Sequence, residues 1–160
     1  MKGQFHLEFL WIIVFAFVFC TSTILAYKIM TEFQANSGFA TGSVAANITD
    51  MGVAAIQTFD YGAAILIFGQ LISIIILGFL VRSHPVLMIP ALLFLTFLML
   101  IAPVISNAFE YFAQSDELVS SVSHFTVIQY IMTYLPLIIG VFGFLFIIVM
   151  YSKGSGETGY

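Results

Sequence analysis

Two apolar runs, residues 62–81 and 86–106, are separated by only four residues, Arg82-Ser83-His84-Pro85. As helices at ~1.5 Å per residue, each covers the ~30 Å hydrocarbon core of a bilayer. A connection that short sends the second helix back beside the first. The pair is therefore expected to be a transmembrane helical hairpin. Pro85 suits the first turn of the returning helix, where its missing N–H costs nothing. Composition supports the same solvent. Apolar residues make up 61% of the 160 residues and charged residues 8%, a balance that a small water-soluble core cannot hide.

Two further runs complete the pattern. Residues 9–27 read FLWIIVFAFVFCTSTILAY and are expected to be a retained first membrane helix. The run is longer than the apolar part of a signal peptide and no Ala-x-Ala cleavage site follows it. Trp11 and Tyr27 with Lys28 suit the two interfaces. Residues 125–151 form the fourth run, with Gln129, Tyr130, Thr133 and Tyr134 in its first half and Pro136 as a kink site. Pro90 and Pro103 are expected to bend the third helix. The fold class is thus an all-α integral membrane protein. It is expected to form one membrane domain of four transmembrane helices, an up-down bundle, with a mobile tail at 152–160.

Between the first two runs, residues 28–61 are rich in Gly, Ala, Ser, Thr and Asn. Asn36, Ser37, Thr41 and Ser43 are helix-capping types. Val44, Ile48, Met51, Ala55, Ile56 and Phe59 then recur at spacings of three and four. This predicts an amphipathic helix over about 42–59, lying on the membrane surface or over the bundle. The alternative is one rod running into the second membrane helix, since no Pro intervenes. Residues 107–124 form a second polar connection, acidic through Glu110, Asp116 and Glu117. Its Ser115-Asp116-Glu117 or residues 120–123 are placed to cap the fourth helix.

Lys2, Arg82 and Lys153 fall on one side of a four-span topology and Lys28 alone on the other. That bias puts both termini in the cytoplasm and the 28–61 and 107–124 connections on the opposite face. The Asn47-Ile48-Thr49 sequon then lies outside, where chance is the simpler explanation for so short a motif.

Function is weakly marked. The four basic residues are scattered, so nucleic acid has no electrostatic footing. Cys20 is alone and within an apolar run. His6, His84 and His124 sit at helix edges, where they cannot clamp a buried haem. A surface metal site would need His124 with Glu110, Asp116 or Glu117, at a spacing that matches no ligand signature. No HExxH, CxxC, GxSxG or phosphate loop is present. No catalytic, cofactor-binding or metal residue is assigned, and no cofactor is expected. The polar and small residues inside the spans are Gly69, Gln70, Ser73, Gln129, Thr133, Gly140 and Gly143. Gln70 is expected to face protein, because a lone amide in lipid needs a partner. These residues suit helix packing, or the lining of a pore.

The expected function is that of a non-catalytic structural or accessory subunit of a larger membrane assembly. A multi-subunit membrane complex or the membrane layer of a lipid-containing virion are the settings considered. The alternative is a small oligomeric, holin-like pore. The partners expected are the lipid bilayer and other membrane-protein subunits or further copies of the chain.

Overall fold

The structure, a computed structural model, describes residues 5–38, 42–80 and 88–154. The described residues form six helices and no strand: α1 (Phe5–Asn36), α2 (Val44–Leu80), α3 (Met88–Ala113), α4 (Val119–Val122), α5 (Thr126–Thr133) and α6 (Leu135–Gly154). Three of them, α1, α2 and α3, are long and apolar enough to cross a membrane. The bent pair α5–α6 supplies a fourth crossing if it is counted as one span.

The helices are longer than the apolar runs that nucleate them. α1 has 32 residues and α2 has 37, so their axes measure ~48 Å and ~55 Å. Residues 28–36 are therefore helical, not loop. No Gly or Pro interrupts them, and Lys28 and Glu32 form an i,i+4 ion pair at 3.5 Å. The break comes where the chain requires left-handed backbone, at Gly38 (φ 61°) and Gly42 (φ 81°). Of the expected caps, Ser43 starts α2, its Oγ accepting from the Ala46 N–H at 3.2 Å.

Of the two readings of residues 42–59, the separate amphipathic helix is corrected and the continuous rod is found: the segment forms the first half of α2, continuous with the second apolar run. No Pro breaks the backbone here, and of the polar residues near position 60, Gln57 reaches Tyr27 of α1 and Asp60 reaches α5. The apolar stripe is also turned differently. Gly52 meets Met30 of α1 and Val53 and Ile56 pack against the core, whereas Val44, Ile48 and Met51 point outward, 75%, 64% and 73% exposed. α3 likewise continues beyond its apolar run to Ala113, through Pro103, with only turns and the four-residue α4 before α5.

The fourth run is divided. α5 and α6 meet at Tyr134 with a bend of 63°. Pro136 has no N–H to return to the Met132 carbonyl, so the helical ladder loses a rung at the bend. The 82–85 turn, Lys2 and residues 155–160 lie outside the described residues.

Packing follows the antiparallel course of the chain. α1 lies along α2, and α3 lies along α6. Ile13, Ala16, Cys20 and Ile24 of α1 meet Ala63, Ile67 and Leu71 of α2 in one core, with Leu98 and Ala102 of α3 and Ile128, Met132, Leu135 and Ile139 of α5 and α6. At one end Phe9 packs edge-on against Phe146, centroids 5.5 Å apart. At the other, both polar connections meet.

Candidate functional site

That meeting is built around one carboxylate. Asp60, in the middle of α2, is 6% exposed. Its Oδ1 accepts the Ile128 N–H at 2.7 Å and its Oδ2 the Val127 N–H at 3.0 Å. These are the second and third residues of α5, whose own cap position is Phe125 and carries no side-chain acceptor. A helix that starts at Phe125 leaves amide hydrogens without partners and a partial positive charge. Asp60 satisfies both from another helix. The expected serine caps do not serve α5: Ser123 Oγ instead donates to the Ser120 carbonyl at 2.6 Å, and Ser115 Oγ to Phe112 at 2.9 Å.

Around the clamp, Tyr27 presents its ring to Phe125 at 5.2 Å, edge to face, and to His124 at 5.1 Å. The Gln57 amide reaches the Tyr27 hydroxyl at 3.4 Å. Lys28 Nζ donates to the Glu117 carbonyl at 2.7 Å and stands 3.8 Å from the Glu117 carboxylate. Gln129 Nε2 donates to the Val122 carbonyl at 2.8 Å. Farther out, Gln34 donates to Asp50 across the α1–α2 pair. Each polar group here is used to join elements. Each oxygen of Asp60 accepts one amide of α5, so the carboxylate ties the middle of α2 to the start of that helix. Among the described residues no group of three or more His, Cys, Asp or Glu side chains is placed to hold a metal ion, so His124 is not joined by Glu110 and Asp116 in such a site.

The membrane-level residues separate into three groups. Gly140 and Gly143 are packed against α3: a Cβ at Gly140 would stand 3.0 Å from Met99 Sδ, and one at Gly143 would overlap Leu95. Gln129 and Thr133 belong to α5, and the Thr133 carbonyl accepts from Ser106 of α3 at 3.3 Å. Gln70 and Ser73 are elsewhere, together in an open groove of about 370 Å³ between α1 and α2. Gly69 faces open space. The four polar residues considered for a pore thus do not form one stripe within a single chain.

Asp60, Tyr27 and Lys28 are absent from the sequence-derived candidates. The available signal was local: an Asp just ahead of a twenty-residue apolar run, and a helix start at Phe125-Thr126 lacking a good cap. Comparison of the chain with protein-family models, with curated proteins and with solved structures finds no match in any of the three.

Proposed function

We propose that the chain is a non-catalytic structural or accessory subunit of a larger membrane assembly. In this reading it crosses the bilayer four times as an up-and-down bundle, with α5 and α6 as one broken crossing. Both termini are cytoplasmic on the distribution of Lys2, Arg82, Lys153 and Lys28.

The observation that supports the assembly reading is the outward stripe on α2. A ~55 Å rod exceeds a ~30 Å hydrocarbon core by ~25 Å. The excess belongs to the half of α2 that carries Asn47 and Asp50, paired with the half of α1 that carries Lys28, Glu32 and Gln34. This two-helix prong stands clear of the lipid, yet Val44, Ile48 and Met51 on one side of it are exposed. Contiguous apolar surface in water is a contact surface. A helix-sized apolar face with period 3.6 suits a helix of a neighbouring subunit.

The test is particle size after extraction in mild detergent. Wild type is expected in a particle well above one chain plus its micelle, containing at least one other polypeptide. Ile48→Glu with Met51→Glu should release the chain from it while leaving its helicity unchanged. A wild-type protein that elutes alone, with no companion polypeptide, removes the reading.

A further inference from the structure

Three of the membrane-level glycines are filled within the chain. Gly78 is met by Phe146, Gly140 by Met99 and Gly143 by Leu95. Gly69 has no atom within 4 Å of where its Cβ would stand. Next to it, Gln70 is half-buried and forms no hydrogen bond to any described residue. Ser73 is exposed and equally without one. By contrast Thr21, Thr23, Thr49 and Thr96 return their hydroxyls to carbonyls four residues earlier. Gln70 lies ~15 Å along α2 from Asp60, which is half the ~30 Å hydrocarbon thickness. With residues 62–80 in the bilayer, an unpaired amide there sits in a medium that offers it neither donor nor acceptor.

We propose that this face of α2 is the contact with a second copy of the chain, related by a two-fold axis, with the two Gln70 amides hydrogen-bonded across it. This rests on the membrane reading above and adds the identity of one partner. A carboxamide carries both a donor and an acceptor, so it complements itself under two-fold symmetry and needs no new residue type opposite. Gly69 lets the second backbone approach closely, and Ser73, one turn on, keeps the approach open. Besides Gln70 and Ser73 the groove is lined by apolar side chains, Phe15 and Ile74 among them, and by one charged residue, Glu8, which lies ~10 Å along α1 from Phe15.

Oxidative cross-linking in native membranes tests it. Ser73→Cys is expected to yield a disulfide-linked species of twice the chain mass, with native Cys20 kept, since it is fully buried. Leu100→Cys, exposed on α3, should yield none. Adding Gln70→Leu should weaken dimerisation about tenfold, which corresponds to ~1.4 kcal/mol and lies within the range for hydrogen bonds between membrane helices. Gln70→Asn, which keeps the amide, should retain most of it. Gly69→Leu should abolish the dimer by filling the notch, while the monomer has room for the side chain.

Cross-linking only to a different polypeptide would overturn the proposal, as would a Ser73→Cys chain that stays single, its groove filled by lipid. Equal dimer with and without Gln70→Leu would overturn it too. A large native particle without the self-dimer leaves the assembly reading intact and removes this one. A self-dimer as the largest species, without other polypeptides, does the reverse.

Discussion

Asp60 and Ile128 are 68 residues apart in sequence and joined by a 2.7 Å hydrogen bond from the Ile128 amide to the Asp60 carboxylate. With the companion bond from Val127, one side chain on a continuous helix holds the start of a broken one. Removing it should therefore act locally before it acts globally. Asp60→Ala is expected to cost about 2–4 kcal/mol, since two hydrogen bonds to a charged acceptor are lost and two amides are left buried. Asp60→Asn keeps one acceptor oxygen and should cost roughly half as much. Hydrogen exchange provides the specific check. The amides of Val127 and Ile128 should lose protection before those of α2.

The Gly143–Leu95 contact should be sensitive to volume. Gly143→Leu drives a side chain into Leu95 of α3 and is expected to destabilise by about 1–3 kcal/mol. Adding Leu95→Ala should recover part of that loss, since the two positions are in contact and their effects do not add. A double-mutant cycle by denaturant unfolding in detergent measures the coupling. Independent, additive effects would show that α3 and α6 are not packed through this pair.

Lys28 has two links to Glu117 of unequal worth. The carbonyl link is 2.7 Å, whereas the carboxylate stands at 3.8 Å on a side chain 87% exposed. Exposed ion pairs contribute roughly 0–1 kcal/mol and fade with salt. Glu117→Gln is therefore expected to leave stability nearly unchanged. Lys28→Ala, which also empties the carbonyl, should cost more, about 1 kcal/mol. A larger effect of Glu117→Gln than of Lys28→Ala would reverse this ranking.

The bend at Tyr134 should depend on Pro136. Replacing it with Ala restores the missing N–H and is expected to straighten α5–α6, since kinks of this size are usually proline-derived. Spin labels at Thr126 and Phe144, both exposed, should then move apart by a few ångström. An unchanged distance would assign the bend to the Asp60 clamp and the Ser106–Thr133 bond instead.

What could be read from sequence was the set of apolar runs, because hydrophobic length is a property of consecutive residues. Their ends were not legible in the same way. Residues 28–36 look polar, but helix continuation depends only on the absence of a breaker, and the first one is Gly38. Between residues 59 and 62 the apolar pattern changes from a stripe to a continuous run, and Asp60 falls at that change. In the fold that charge is satisfied by α5, a partner no local window contains. The stripe from Val44 to Phe59 was visible as periodicity, yet periodicity does not say which side has a neighbour. Here Gly52 meets α1 and Ile56 the core, which leaves Val44, Ile48 and Met51 outside. Gln70 was recognised as a polar group in need of a partner, and the groove shows that the described chain does not provide one.

The clamp also sets an order on biosynthesis. The acceptor, Asp60, leaves the ribosome 67 residues before the first of its donors, Val127. At 5–20 residues per second the delay is roughly 3–13 s. Through that interval the nascent chain holds a carboxylate at the head of an apolar helix with nothing to neutralise it. Until α5 appears, water is the partner left to the Asp60 carboxylate. An arrest placed just before residue 127 should accumulate a species in which α1 and α2 are paired and Asp60 is still open to solvent.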